Sequence, residues 1–134
     1  ASTIIGVLGV RLLRVNCIHC SESYAPEPYA LEQLRQHEGD EYLQSLVSQK
    51  SFYRGKGCSA CSNTGFGGRS SINELLVCDE DIRRAVMLKK PTREIQDIAV
   101  KNGMSVLWDG GLQMVVDRRT TLEEILKQGS ADQV

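Results

Sequence analysis

Two short cysteine motifs constrain this chain more than any other feature of its sequence. The first is Cys17-Ile-His-Cys20 and the second is Cys58-Ser-Ala-Cys61. Two residues between the cysteines allow one tight turn to direct both sulfurs at the same ion, and two such turns supply four thiolates. This set is typical of a structural Zn²⁺ site, because zinc binds thiolate well and favours tetrahedral coordination. We therefore predict that Cys17, Cys20, Cys58 and Cys61 bind one zinc ion.

The residues around the second motif agree with a metal site. Gly55, Gly57 and Gly65 flank its cysteines, where the backbone must turn sharply and glycine adopts positive φ freely. Basic side chains close in sequence are expected to offset the negative charge of four thiolates. These are Arg54, Lys56 and Arg69.

Other uses of the cysteines remain open at this stage. The four could form two disulfides or contain a redox pair, although a redox Cys-x-x-Cys usually stands alone beside a βαβ pattern, which this sequence lacks. His19 lies inside the first motif and is a rival ligand, but we expect it to face solvent. Cys78, the fifth cysteine, is expected to be a small buried apolar residue.

The composition and the missing motifs limit the possible functions. The 134 residues have a net charge of −1 and 41% are hydrophobic, so no bulk charge attracts nucleic acid or a membrane. The sequence has neither a Gly-x-x-x-x-Gly-Lys-Ser/Thr phosphate loop nor a His-Glu-x-x-His motif. Four thiolates would also close the zinc coordination shell. We therefore predict a module without catalytic residues, located in a reducing cytoplasm.

The apolar patterns predict an α+β fold in three parts. Residues 1–16 are predicted to form an N-terminal helix, because apolar residues recur there at helical spacing. Residues 17–77 are predicted to form the four-cysteine zinc-binding domain, a knuckle and β-ribbon unit with a helical insert at 29–49. Residues 78–134 are predicted to form a small C-terminal helical bundle.

Local signals refine the middle part. The insert is expected to contain two short helices separated at Gly39-Asp40, and we interpret it as a solvated excursion without an assigned function. Short strands are expected at Ser51-Phe-Tyr-Arg54, before the second motif, and at Ser71–Val77, after it.

Capping signals predict four helices in the last third. Asp79 is expected to cap a helix over 80–90, and Thr92 is expected to cap the next. A third helix is expected over 106–117, with Gly110-Gly111 as an awkward interruption. The capping box Thr121-Leu-Glu-Glu124 opens a fourth, and 129–134 is expected to be a loose tail.

Several segments together resemble a known family. They are Ile5–Cys20, Tyr53–Arg69, Ile72-Asn-Glu-Leu-Leu76, Gly111-Leu112 and Thr120–Glu124. In this order they resemble the C-terminal tetracysteine zinc-binding region of the assembly ATPases of type II secretion and type IV pilus systems. One departure is Gly9-Val10, where the family commonly has Ala-Gln.

The resemblance implies a role for the chain as part of a larger motor. The parent would be a hexameric ATPase that powers pilus or pseudopilus assembly at the cytoplasmic face of the bacterial inner membrane. Its partners would be the rest of the parent ATPase, the neighbouring subunits of the hexamer and an inner-membrane platform protein, with no nucleic acid. ATP and Mg²⁺ would bind upstream of Ala1, and 1–16 would be the end of the ATPase core. The absence of an initial methionine agrees with an excised piece.

Two other functions fit the cysteine motifs. A nucleic-acid-binding zinc ribbon would need a basic face with aromatic residues around the motifs, whereas aromatics make up 5% of this chain. A chaperone-like module that holds unfolded proteins also uses Cys-x-x-Cys motifs with glycines, but usually in more than two copies.

Overall fold

The structure is a computed structural model that describes residues 3–129. These residues form six α-helices and two small antiparallel sheets, which confirms the predicted α+β class. The strands are β1 (Gly6–Asn16), β2 (Ser21–Ser23), β3 (Tyr53–Gly55) and β4 (Phe66–Val77). The helices are α1 (Pro28–Glu38), α2 (Asp40–Ser48), α3 (Glu80–Met87), α4 (Thr92–Lys101), α5 (Leu107–Val116) and α6 (Leu122–Gly129). Of the expected loose tail, 130–134 lies outside the described residues, and Gly129 ends α6.

The N-terminal helix predicted within residues 1–16 is wrong, because Gly6–Asn16 form strand β1. β1 pairs with β4 along a long antiparallel ribbon, from Gly6 opposite Val77 to Arg14 opposite Arg69. One face of β1 is directed inward and buries Leu13, while Leu8 on the other face is 60% exposed. Apolar residues on both faces conceal the two-residue period of a strand and imitate helical spacing. The glycines also disfavour a helix here, and the β-branched residues favour the extended conformation.

A single hydrophobic core joins the ribbon, the insert and the last two helices. It contains Leu13 from β1, Leu34 from α1 and Ile125 from α6, together with Phe52 just before β3. The insert is divided at Gly39, which has φ of 92°, as the sequence predicts. Its interpretation as a solvated excursion is wrong, because α1 and α2 supply buried leucines to the common core.

Helix α5 continues through the glycine pair that was expected to interrupt it. A Cβ on Gly111 would lie 3.1 Å from Cγ2 of Ile125, and a Cβ on Gly110 would lie 3.5 Å from Cβ of Ile72. Glycine at 111 therefore allows α5 to pack closely on α6, whereas a Cβ at 110 would make only an ordinary contact with β4. Packing compensates for the low helix propensity of the two residues.

The predicted caps are partly confirmed. Asp79 accepts a hydrogen bond from the Ile82 amide at 3.0 Å, and Thr121 Oγ1 accepts one from the Glu124 amide at 3.0 Å. Thr92 is the first residue of α4 and not its cap, because Pro91 occupies the capping position. The Glu124 side chain leaves the capping box and turns toward β1.

Candidate metal centre

The four predicted cysteines lie at the junctions between short strands. Cys17 follows β1 and Cys20 precedes β2, while Cys58 and Cys61 follow β3, with Cys61 ending a 3₁₀ turn. Strands β2 and β3 pair with each other, and this pairing brings the two motifs together. Backbone hydrogen bonds from Cys17 to the Gly65 carbonyl, at 2.9 Å, and from Lys56 to the Cys20 carbonyl, at 3.1 Å, fix the junctions.

The four sulfurs form one compact cluster. All four Sγ atoms lie within 4.8 Å of one another. The separations are 3.8 Å between Cys17 and Cys58, 3.8 Å between Cys20 and Cys61, and 3.7 Å between Cys58 and Cys61. Four thiolates around a tetrahedral zinc at about 2.3 Å would be separated by about 3.8 Å. A disulfide needs about 2.05 Å, so this geometry fits a shared ion better than cross-linking.

Backbone amides are directed at two of the sulfurs. The Gly57 amide donates to Cys20 Sγ at 3.3 Å, and the amides of Cys58 and Gly65 each donate to Cys61 Sγ at 3.2 Å. These donors favour thiolate over thiol, because they stabilise negative charge on sulfur. Basic side chains were expected to take this role, but Arg54, for example, lies over the Tyr24 ring.

The two amide-bonded thiols differ in acidity. Burial acts to raise the pKa of Cys61, but the amides of Cys58 and Gly65, together with the thiols of Cys58 and Cys20, outweigh it and lower the pKa to about 6. Burial raises the pKa of Cys20 to about 12, against a single opposing amide from Gly57. The backbone amides therefore favour the thiolate form of Cys61.

Gly55, before the second motif, and Gly65, after it, lie in direct backbone contact. A Cβ on Gly55 would lie 2.1 Å from the Gly65 carbonyl oxygen, and a Cβ on Gly65 would lie 2.3 Å from the Gly55 carbonyl oxygen. Gly65 also has φ of 81°. Only residues without a side chain permit this approach, so the pair is needed for the loop that presents Cys58 and Cys61.

The other candidate ligands lie elsewhere. His19 is exposed, as predicted, and does not belong to the sulfur cluster. Cys78 is also outside the cluster, and it is partly buried where full burial was expected. Within the described residues, the cluster thus consists of the four cysteines that the spacing singled out.

A polar network attaches the C-terminal segment to the residues just before Cys17. Arg14 donates to the buried carboxylate of Glu124 through its backbone amide and its guanidinium, each at 2.8 Å. Asn16 donates its side-chain amide to the carbonyls of Tyr53 and Arg118, at 3.0 and 3.2 Å. Thr120 donates its hydroxyl to the Arg14 carbonyl at 2.7 Å. The position of the first motif therefore depends on residues more than 100 positions away.

A second link joins α6 to the segment that follows the first motif. The Tyr24 hydroxyl donates to Glu123, and the Glu27 amide donates to the same carboxylate at 2.8 Å. Burial, followed by the nearby Glu123 carboxylate, raises the pKa of the Tyr24 hydroxyl well above its ordinary value. Helix α6 thus holds both the end of β1 and the start of α1.

None of the helices formed by residues 3–129 has both the length and the apolar character that a crossing of a lipid bilayer requires. This agrees with the absence of long apolar runs in the sequence.

Comparison with known proteins gives one consistent result. A family model described as "Type II/IV secretion system protein" matches residues 1–127. The chain is 39% identical over 126 residues to the type IV pilus assembly ATPase PilB of Thermus thermophilus. The match covers 94% of this chain and 14% of that protein.

Two type II secretion system proteins are also similar to the chain. Identity is 36% over 130 residues to the type II secretion system protein E of Xanthomonas campestris pv. campestris, covering 94% of this chain and 21% of that protein. The chain is 32% identical over 127 residues to the type II secretion system protein HxcR of Pseudomonas aeruginosa, and the match covers 95% of this chain and 22% of that protein. The chain thus spans less than a quarter of the length of these relatives. With nearly all of its residues matched by the family model, the chain belongs to the type II/IV secretion system protein family.

Proposed function

We propose that the chain is a non-catalytic, zinc-braced C-terminal module of an assembly ATPase of this family. The observation that carries the proposal is the cluster of four sulfurs, all within 4.8 Å of one another. Three of its Sγ–Sγ separations are 3.7 to 3.8 Å, the value expected for a tetrahedral four-thiolate zinc site. Cys17, Cys20, Cys58 and Cys61 would hold the ion. The amides of Gly57, Cys58 and Gly65 would orient the sulfurs and stabilise their negative charge.

The role of the bound ion would be structural. Four protein ligands leave no open coordination position for water or substrate, so the site has no means to activate either. The ligands come from two motifs about 40 residues apart, and the unfolded chain cannot hold them together. Metal binding would therefore add directly to the stability of the folded state.

The names of the relatives support the assignment to a motor. They include a type IV pilus assembly ATPase and type II secretion system proteins. We infer that ATP and Mg²⁺ bind in another region of the parent protein and that the present chain hydrolyses no ATP. The proposed partners are the rest of the parent ATPase, its hexamer neighbours and an inner-membrane platform protein at the cytoplasmic face of the bacterial inner membrane.

The proposal keeps the predicted three-part division of the chain, except that strand β1 replaces the N-terminal helix. Residues 1–16, which contain β1, would connect to the ATPase core. Residues 17–77 would form the zinc-binding domain with its insert at 29–49, and 78–134 would form the C-terminal helical subdomain. Helices α5 and α6 of the third part share a core with the second part, so these two helices would move with the zinc-binding domain.

Native mass spectrometry and elemental analysis of the purified chain test the zinc site. We expect one zinc per chain, and retention of the ion in weak chelator. The alanine variant of Cys61 should lose the ion, whereas the alanine variant of Cys78, which lies outside the cluster, should keep it. Purified protein that contains no metal, and that gains none when refolded with Zn²⁺, would overturn the structural-zinc proposal.

A further inference from the structure

The connection between α3 and α4, together with the helix ends on either side of it, combines positive charge with exposed apolar side chains. Residues 83–93 read Arg-Arg-Ala-Val-Met-Leu-Lys-Lys-Pro-Thr-Arg and contain five basic residues and no acidic residue, in a chain whose net charge is −1. Met87 is 78% exposed and Leu88 is 62% exposed. Exposed apolar side chains rimmed by charged residues are typical of surfaces that bind a protein or a membrane.

This segment lies apart from the main core. Helices α3 and α4 pack chiefly against each other, and their buried residues Ile82, Ala85 and Ala99 do not belong to the core cluster that contains Leu13 and Ile125. The connection forms one end of this helix pair. We name it the basic tip and define it as Arg84, Met87, Leu88, Lys89, Lys90 and Arg93.

The charges of the basic tip are available to a partner. Arg84 lies 3.6 Å from Asp81 and Lys90 lies 3.7 Å from Glu94, in pairs whose side chains are about half exposed. Exposed pairs of this kind are weak and exchange readily with other anions. Lys89 and Arg93 form no ion pair within residues 3–129. Arg83 is excluded from the tip, because its guanidinium turns back and donates to the Ile4 carbonyl at 3.4 Å.

We propose that the basic tip binds the surface of an anionic lipid bilayer. The four cations would contact headgroup phosphates, while Met87 and Leu88 would enter the boundary between headgroups and acyl chains. Charge complementarity selects an anionic partner, and the two apolar side chains favour a bilayer, since a lipid boundary buries apolar surface and binds cations at once. A nucleic acid fits less well, because residues 83–93 contain no aromatic ring on which a base could stack. The proposal depends on neither the zinc site nor the motor assignment.

Cosedimentation of the full 134-residue chain with vesicles tests this surface. Vesicles of phosphatidylglycerol and phosphatidylcholine should bind the chain, and pure phosphatidylcholine should not. Binding should fall as salt rises. The double variant Lys89→Glu/Lys90→Glu should reduce the partition coefficient about tenfold or more. Met87→Ser/Leu88→Ser should reduce it several-fold while keeping the salt dependence.

A matched control carries the same change in charge elsewhere. Lys50→Glu/Arg119→Glu alters two exposed cations outside the tip and should stay within about twofold of the unmodified chain. If the charge-reversed tip variant loses its circular dichroism spectrum, Lys89→Gln/Lys90→Gln replaces it. Equal binding by the tip variants and the unmodified chain, or equal loss in the control, would overturn the proposal. So would tip-dependent binding to RNA or polyglutamate that is unaffected by Met87→Ser/Leu88→Ser, because it would identify an acidic polymer as the partner.

Discussion

Arg14, near the end of β1, holds the buried carboxylate of Glu124, in α6, with Nη2 2.8 Å from Oε1 and its backbone amide 2.8 Å from Oε2. The guanidinium also lies 4.1 Å from the centroid of the Phe66 ring. One residue thus joins the C-terminal helix to both strands of the ribbon, shortly before the first metal-ligand candidate. The Glu124 side chain is 1% exposed and the Arg14 side chain is 45% exposed, so the pair is half shielded from water.

We expect Arg14→Ala to destabilise the chain substantially. The substitution leaves a buried carboxylate without its cation, and we estimate a loss of about 2 kcal/mol in the free energy of unfolding, below the value for a fully buried pair because water reaches Arg14. Urea titration at neutral pH measures it. Arg35→Ala, which breaks the exposed pair with Glu32, is the control and should change little. Equal effects of the two substitutions would contradict the importance of burial.

The same pair should make stability depend on pH. Burial acts to raise the pKa of Glu124, but the hydrogen bonds and charge of Arg14 outweigh it and lower the pKa. A carboxylate whose folded pKa is depressed adds stability above its unfolded pKa, about 4.3, and this stability is lost as pH falls through the folded pKa. The stability gap between the unmodified chain and Glu124→Gln should therefore be present at about pH 6 and shrink at about pH 3. A gap that stays constant over this range would contradict an ionised Glu124.

Removal of one sulfur should loosen both cysteine motifs. We expect Cys58→Ser to lower the melting temperature by about 10 °C or more, because a weakened metal site withdraws binding energy from the folded state. Differential scanning calorimetry with and without chelator measures the effect, and chelator should lower the melting temperature of the unmodified chain but barely change that of the variant. Cys78→Ser is the control. Identical melting of Cys58→Ser and the unmodified chain would argue against a structural metal.

The glycine contact behind the second motif should tolerate no side chain. We expect Gly55→Ala to prevent the close approach to Gly65, since its Cβ would lie 2.1 Å from a backbone oxygen. The cost should reach about 3 kcal/mol, at the upper end for overpacking, and zinc content should fall with it. Gly67→Ala is the control, because its Cβ would meet only an ordinary contact 3.6 Å from the Cys17 Cα. If Gly55→Ala folds with full zinc content, the contact is not needed for the site.

The sequence predicted the members of the candidate site better than their surroundings. Cysteine spacing is a local signal, and Cys17, Cys20, Cys58 and Cys61 meet as expected. Strand β1 was predicted as a helix, because its two faces are both apolar and the two-residue period is hidden. The pair of Arg14 and Glu124 was not predictable, since the residues are 110 positions apart and no local pattern connects them.

The donors to the sulfurs were also missed, although a signal was present. Glycines at 57 and 65 indicated sharp turns, and such turns direct amides inward, but we assigned the compensation of charge to basic side chains. The amide of Gly65 donates to Cys61 Sγ at 3.2 Å. Short loops rich in glycine around thiolates are therefore better interpreted as sources of backbone donors.

The segment between the two cysteine motifs limits how the length of this protein can change during evolution. Leu34 and Phe52 lie in the same core as Leu13 and Ile125. An insertion or deletion between the motifs would therefore displace side chains that pack against both β1 and α6. Relatives should therefore vary the outward residues of α1 and α2 freely while keeping the number of residues between the motifs within narrow limits. Lengthening that does occur should be confined to the turn at Gly39, where a Cβ would meet nothing within 4 Å.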